Sequence, residues 1–261
     1  MTILKTTNLG RSFGGLKAVD KFEIYLDERE LVGLIGPNGA GKTTAFNMLT
    51  GVYVPSYGEI QFCGESIVGK KPYEITQKGI GRTFQNIRLF KDLSVIDNVK
   101  IAYHQNVKYG VFSGIIKSKK YKIEEEEITN KSLELLSIFG LDTKHNELAR
   151  NLPYGEQRRL EIARALATKP KLLLLDEPAA GMNPQETHKL MELIRWIRDK
   201  FDITILLIEH DMSLVMNVCE RIYVLDYGKI IAHGNPEEIK TNPKVIEAYL
   251  GEEVSPNVKS K

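Results

Sequence analysis

The chain has 261 residues, a formal net charge of +2 and an ordinary content of apolar residues. A chain of this length can bury a sizeable core. The nearly balanced charge argues against a dedicated nucleic-acid-binding protein, for which a strongly basic face would be expected.

Cysteines and hydropathy give further expectations. Cys63 and Cys219 lie far apart and lack metal-ligand spacing, so we interpret them as core or surface thiols in a reducing compartment. No segment approaches the roughly 18 apolar residues of a membrane span, and the first five residues lack the layout of a signal peptide. We therefore expect a soluble, cytoplasmic chain.

The chain up to about Phe62 alternates strand-like segments with turn residues. Residues 22–26, 31–35 and 57–62 are typical of strands. Residues 43–49 form a helix-like run that ends before Gly51. The first part of the chain therefore predicts a strand-rich region with one helix.

Between the strand 31–35 and this helix-like run lies a full match to the phosphate-binding loop pattern. Its glycines let backbone N–H groups surround an anion, and the helix N-terminus adds partial positive charge. Lys42 is expected to reach the β and γ phosphates of a nucleotide, and Thr43 to offer its hydroxyl to Mg²⁺. The predicted nucleotide-binding residues are Gly36, Pro37, Asn38, Gly39, Ala40, Gly41, Lys42, Thr43 and Thr44.

Residues 87–169 are more polar and predominantly helical in pattern. The charged run 117–127 is interpreted as a solvated helical face without chemistry. Leu133, Leu136 and Leu141 have spacings that could face a small core.

A second apolar run, residues 172–175, stops at Asp176 and Glu177. Its composition predicts a central parallel strand buried on both faces, and acids at its carboxyl end would lie where α/β proteins bind ligands. Asp176 would hold Mg²⁺ directly or through water, and Glu177 would polarise the attacking water. The alternative is that Asp176 caps the next turn and Glu177 is only solvated.

Strand and helix alternate again after residue 172. Residues 221–226 are predicted to turn at Tyr227 and Gly228 into a further strand over 229–232. The polar residues after Gly251 predict a disordered tail.

Five segments together resemble the ATP-binding-cassette (ABC) ATPases in order and spacing, over nearly the whole chain. They are the phosphate loop, Gln85 within residues 82–86, the signature-like segment 152–166, the Asp176-Glu177 strand end, and His210 after an apolar run. The resemblance implies an α/β P-loop NTPase (ABC ATPase) core with an antiparallel β flank and an inserted α-helical subdomain. A single domain over 1–251 is expected, with a nucleotide-binding core of 1–86 and 170–251, a helical subdomain of 87–169 and a tail of 252–261.

The same resemblance implies further roles. Phe13 matches the aromatic that stacks on adenine, with a core aromatic as the alternative. His210 would contact the γ phosphate, and Gln85 would sense the nucleotide through Mg²⁺ or the attacking water. In this family the signature of a second subunit completes the phosphate loop, so Gly155 and a helix beginning near Glu156 would present donors to a partner's γ phosphate.

Two departures from the family pattern affect the predicted half-site. Pro153 and Tyr154 stand where cassettes commonly carry Ser and Gly, and Asn183 replaces the usual Asp of the loop after Glu177. Proline removes both a hydroxyl donor and a backbone N–H. We therefore expect a weaker half-site built from this signature.

Residues 82–90, 176–187 and 245–251, together with the helical insertion, look like the ATPase subunits of branched-chain amino-acid importers. That resemblance implies ATP hydrolysis at the inner face of the membrane, a second ABC ATPase (the same or a related chain), partner permeases, an external solute-binding protein and no nucleic acid. The alternatives are a cassette of the lipopolysaccharide-export type, and a soluble cassette acting on nucleic acid or ribosomes. The substrate assignment depends on resemblance alone.

Overall fold

The structure is a computed structural model that describes residues 1–107 and 116–253. Two β-sheets form its centre and helices cover them. The strands are β1 (Thr2–Phe13), β2 (Leu16–Phe22), β3 (Tyr25–Asp27), β4 (Leu31–Ile35), β5 (Tyr57–Phe62), β6 (Glu65–Ser66), β7 (Ile80–Arg82), β8 (Leu172–Asp176), β9 (Thr204–Ile208), β10 (Arg221–Asp226) and β11 (Lys229–Gly234).

The α-helices are α1 (Lys42–Leu49), α2 (Pro72–Lys78), α3 (Val95–Tyr103), α4 (Lys119–Ile138), α5 (Tyr154–Ala167), α6 (Pro184–Phe201), α7 (Met212–Val218), α8 (Pro236–Lys240) and α9 (Pro243–Glu253). Short 3₁₀ segments occupy His104–Asn106, Asp142–Lys144 and Ala149–Asn151. None of the helices within 1–107 and 116–253 is long and apolar enough to cross a membrane.

The larger sheet has six strands in the order β11-β10-β4-β9-β8-β7. The strands from β10 to β7 pair in parallel, and β11 is antiparallel to β10. Every residue of β4, β8 and β9 is buried. One face of this sheet packs against helices, and the other packs against α1 and the second sheet. The predicted central parallel strand ending at Asp176 is confirmed, as is the hairpin through Tyr227 and Gly228.

The second sheet is antiparallel and has the order β2-β1-β5-β6, with β3 paired to the beginning of β1. It forms the antiparallel β flank that was predicted. The prediction of one strand over residues 22–26 is wrong. Strand β2 ends at Phe22 and β3 begins at Tyr25, and the two pair with different parts of β1. At Thr6 the backbone N–H donates to Ile24 O, and the Thr6 hydroxyl accepts the Ile24 N–H at 2.9 Å, which separates β2 from β3.

The helical region packs α3, α4 and α5 around a small apolar core. Leu136 and Leu141 are buried there and Leu133 is half-buried, as their spacing predicts. The charged residues 119–127 are exposed or half-buried on α4. At the other end of the chain, α9 continues through Glu253, and residues 254–261 of the predicted tail lie outside the described residues.

Candidate nucleotide site

The predicted site residues follow neighbouring strands of the larger sheet at their carboxyl ends. Parallel pairing places Leu34 of β4 opposite Ile208 of β9, and Ile208 opposite Asp176 of β8. The phosphate loop follows β4, His210 follows β9, and Gln85 follows β7. These residues therefore converge on one edge of the sheet, where α/β proteins bind ligands.

The phosphate loop is shaped by close contacts that only glycine permits. Gly36 and Gly41 have φ values of 152° and 107°. A Cβ on Gly36 would lie 1.9 Å from the carbonyl oxygen of Leu225, and one on Gly41 would lie 2.5 Å from that of Ala18. The loop leads directly into α1, whose first N–H groups have no intrahelical acceptor and can bind an anion.

Lys42 is the first residue of α1 and its side chain folds back over the loop. Its ammonium donates to the carbonyl oxygens of Gly36 at 2.5 Å and Pro37 at 2.8 Å. The residue is only 7% exposed. Thr43 follows as an exposed residue at the second helical position.

Asp176 is held by an arginine that sequence reasoning did not identify. Its Oδ2 accepts a hydrogen bond from Arg82 Nη2 at 3.0 Å, and both side chains are almost fully buried. Arg82 also donates to Asn47 and Thr50. Burial raises the pKa of Asp176, and the Arg82 guanidinium opposes that shift. The carboxylate therefore faces a buried arginine from β7 instead of capping the next turn.

The donor set suits Mg²⁺ better than a metal that needs a full protein cage. Within residues 1–107 and 116–253, no group of three or more His, Cys, Asp or Glu side chains is arranged to hold a metal ion. Mg²⁺ is usually bound by one or two protein oxygens and keeps waters and substrate phosphates. The hydroxyl of Thr43 and the carboxylate of Asp176 fit that pattern.

Gln85, Glu177 and His210 lie together, although they come from three separate loops. Gln85 Nε2 donates to Glu177 Oε2 at 3.1 Å, and His210 Nδ1 lies 3.7 Å from the same oxygen. Glu177 has a φ of 46° and its N–H donates to Ile208 O, which fixes it beyond the end of β8. Next to His210, the buried Glu209 accepts the Ala179 N–H, and burial raises the pKa of Glu209.

Phe13 lies at the end of β1 with 40% of its surface exposed, so it is not a core aromatic. Its ring meets Tyr53 edge to face at a centroid distance of 5.3 Å. The guanidinium of Arg11 lies 4.8 Å from the Phe13 centroid and 5.7 Å from that of Tyr53. Arg11 and Tyr53 had no sequence signal of their own, because the contact exists only once β1 is placed beside residue 53.

The signature helix differs from expectation at its start. Helix α5 begins at Tyr154 with Pro153 as its N-cap, two residues before the predicted start. The Glu156 N–H donates to Pro153 O, and its carboxylate accepts from Lys144 at 2.9 and 2.7 Å. Tyr154 and Gly155 therefore hold the first two helical positions, whose N–H groups have no intrahelical acceptor. The side chain of Glu156, one of the predicted nucleotide-binding residues, pairs with Lys144 in this structure.

The signature lies beside the loop that follows Glu177. The atoms nearest to a Cβ built on Gly155 belong to Glu186 and Met182. On the buried side of the same helix, Arg158 and Glu161 are fully enclosed, and sequence reasoning gave them no role. Their charges gave no signal in the sequence because charged residues on a helix are usually exposed.

Comparison with known proteins shows the family of the chain. Residues 19–180 match the family described as ABC transporter, and residues 229–255 match the family described as branched-chain amino acid ATP-binding cassette transporter. The chain is 50% identical over 250 residues to the high-affinity branched-chain amino acid transport ATP-binding protein LivG of Salmonella typhimurium (strain LT2), covering 96% of this chain and 98% of LivG.

Solved structures give the same result. The ADP conformation of MJ1267, an ATP-binding cassette of an ABC transporter, has a TM-score of 0.84 at 34% identity, covering 96% of this chain and 99% of that one. A dimeric post-hydrolysis structure of the cassette MJ0796 bound to ADP and Pi has a TM-score of 0.76 at 25% identity, covering 90% and 99%. Its relatives, its fold and its phosphate loop identify this chain as a member of the ABC transporter family, an ATPase that binds and hydrolyses ATP.

Proposed function

We propose that this chain powers the import of branched-chain amino acids as one of two cassettes bound to partner permeases at the cytoplasmic face of the membrane. The observation that carries the proposal is the match of residues 229–255 to a family of branched-chain amino-acid cassettes, with the likeness to LivG. The amino acid itself would contact the permeases and an external solute-binding protein, and not this chain.

In the proposed reaction, Lys42 binds the β and γ phosphates, and Thr43 and Asp176 hold Mg²⁺ with Gln85 nearby. The metal, when bound, neutralises charge on the phosphates. Glu177 accepts a proton from the attacking water, and the amide of Gln85 orients the Glu177 carboxylate. His210, 61% exposed beside Glu177, contacts the γ phosphate.

A second cassette would complete each site. Tyr154 and Gly155 present helix N-terminal N–H groups beside the loop after Glu177, not over this chain's own phosphate loop. The dimeric structure of MJ0796 supports pairing of two cassettes. The second cassette in the complex is either a copy of this chain or a related ATPase.

An apolar groove next to Gln85 suits a permease segment. It has a volume of about 360 Å³ and lies between residues 72–84 and the helices α3 and α5. Phe84, Phe90 and Ile101 line it, and the last two are 48% and 41% exposed. Because Phe84 adjoins Gln85, a cytoplasmic helix of a permease seated here would lie next to the nucleotide-sensing loop.

Purification of the chain from membranes, with identification of the bound subunits, tests the proposal. We expect two branched-chain amino-acid permease subunits to be recovered. Ile101→Glu should abolish their recovery, whereas Ile123→Glu, at an exposed isoleucine on α4, should not. Recovery of lipopolysaccharide-export proteins or ribosomes, or permease binding that Ile101→Glu leaves intact, would contradict it.

A further inference from the structure

A buried ion pair on α5 is attached to the segment that carries Gln85. The side chains of Arg158 and Glu161 are 0% and 1% exposed, and Arg158 Nη1 donates to Glu161 Oε2 at 2.8 Å. Burying two charges in this way is costly unless further hydrogen bonds satisfy them. The groups that accept or donate these further hydrogen bonds show which segment the ion pair stabilises.

The partners are backbone groups of residues 84–88. Arg158 Nη1 also donates to Phe84 O at 2.7 Å, and Nη2 donates to Gln85 O at 2.8 Å. Glu161 Oε1 accepts the N–H of Arg88 at 3.0 Å. Residues 84–88 form neither helix nor strand, so these charge-assisted bonds replace the regular backbone pairing that would otherwise fix them.

The same segment supplies a group to the hydrolytic site. The backbone carbonyl of Gln85 is bound by Arg158, while its side-chain amide donates to Glu177 Oε2 at 3.1 Å. Gln85 thus spans the distance between α5 and the proposed general base. Arg158 Nη2 also lies 3.4 Å from the hydroxyl of Tyr154, the first residue of α5.

We propose that Arg158, supported by Glu161, is a positioning residue for ATP hydrolysis. It fixes the backbone of Gln85 to the signature helix so that the Gln85 amide meets Glu177. A displacement of the N-terminus of α5 then moves Gln85 relative to Glu177. The proposal rests on the ATPase activity of the family and not on the transported substrate.

A purely structural role would give a different result. Replacing a buried ion pair changes stability, but it need not change the rate of chemistry through one particular residue. A positioning role predicts that the effect of Arg158 on turnover depends on Gln85. The test therefore compares Arg158 variants in chains with and without the Gln85 side chain.

The experiment measures kcat and KM for ATP with the purified full chain. Arg158→Gln is expected to lower kcat by about tenfold to a hundredfold with little change in KM, because misplacement of a catalytic group acts on the chemical step. Arg158→Lys, which keeps the charge but cannot form the guanidinium fork, should give an intermediate loss. In the Gln85→Ala background, Arg158→Lys and Arg158→Gln should lower kcat no further.

Arg159→Gln is the matched control. Arg159 is the next residue of α5, and its guanidinium donates to Phe139 O on the other side of the helix. Its kcat should stay within about twofold of the unmodified chain. Hydrogen exchange of residues 84–88 should accelerate in Arg158→Lys and stay unchanged in Arg159→Gln.

An equal loss of kcat from Arg158→Lys with and without the Gln85 side chain would overturn the proposal, as would an equal loss from Arg159→Gln. If Arg158→Gln fails to fold, the comparison is made with Arg158→Lys alone. Failure to bind permeases in the co-purification above would leave this result unaffected, so the two proposals can fail separately.

Discussion

Glu177 Oε2 accepts a hydrogen bond from Gln85 at 3.1 Å, although 92 positions separate the two residues in the chain. The ring of His210 lies 3.7 Å from the same oxygen. Glu177, which follows β8, is thus in contact with one residue that follows β7 and with another that follows β9. If Glu177 is the general base, as proposed, a change in either neighbour would reach the attacking water through it.

Glu177→Gln is expected to bind ATP and to hydrolyse it about 10² to 10⁴ times more slowly, because a positioned base is lost. Bound ATP should then hold two cassettes together. ATPase assays and gel filtration with ATP measure both effects. Glu192→Gln, at an exposed position of α6, is the control, and near-normal turnover of Glu177→Gln would remove Glu177 from the role of base.

Lys42→Met is expected to weaken ATP binding about tenfold to a hundredfold, the value of a hydrogen bond to a charged group. The methionine keeps the apolar stem, so the phosphate loop loses the donor to Gly36 and Pro37 but little packing. Equilibrium binding of a nucleotide and a thermal melt measure the two effects. Unchanged affinity with a lower melting temperature would indicate that Lys42 only stabilises the loop.

Pro153→Ser is expected to lower the ATP concentration for half-maximal hydrolysis by the assembled complex. The new hydroxyl can donate to a phosphate, a bond worth roughly 1.5 to 3 kcal/mol. Because Pro153 is the N-cap of α5, serine should also stabilise the helix by about 1 kcal/mol. Pro153→Ala lacks the hydroxyl and therefore shows the effect of losing the proline ring alone, and a thermal melt measures the effect on the helix. An equal or higher half-maximal concentration in Pro153→Ser would show that the proline is neutral.

Glu209→Gln is expected to raise the melting temperature more at about pH 8 than at about pH 5. Burial raises the pKa of Glu209 above its usual 4.5, so the native state binds this proton more readily than the unfolded chain. The stability of the unmodified chain therefore falls as the pH rises from 4.5 through the native pKa. Glutamine keeps an acceptor for the Ala179 N–H without the charge; an equal change at both pH values would contradict the prediction.

Alkylation of the native chain with iodoacetamide at neutral pH is expected to modify Cys63 and to spare Cys219. Burial raises the pKa of the Cys219 thiol to about 12, whereas Cys63 is exposed. The thiolate is the reactive form, and access is also required. Mass spectrometry should find one adduct in the native chain, none in Cys63→Ser, and two in the unfolded chain; labelling of Cys219 in the folded chain would contradict the burial.

Local sequence patterns predicted much of the nucleotide site. The phosphate loop, the helix that follows it and the strand ending at Asp176 each depend on neighbouring residues, so a short window of sequence contains their signal. The start of α5 was predicted near Glu156, whereas the helix begins at Tyr154 with Pro153 as its N-cap. The signature pattern did not show that the helix includes Tyr154 and Gly155.

The contacts between distant segments could not be predicted in this way. Arg82 reaches Asp176 because β7 and β8 are neighbours in the sheet. The order of strands in a sheet cannot be predicted from the sequence of one segment. Arg158 reaches Gln85 because α5 packs over the loop after β7. In both cases a buried charge has its partner more than 70 positions away, which only the assembled fold reveals.

The phosphate loop rests on parts of the fold that lie far from it in the chain. Gly36 packs against the carbonyl of Leu225, and the Gly228 N–H donates to Ala40 O at 2.8 Å. The β10–β11 hairpin therefore stabilises the conformation of the loop. A segment already held in its binding shape loses little conformational entropy when a ligand arrives. The affinity for phosphate is thus partly set by a hairpin near the other end of the sequence, because that hairpin holds the backbone of the loop in place.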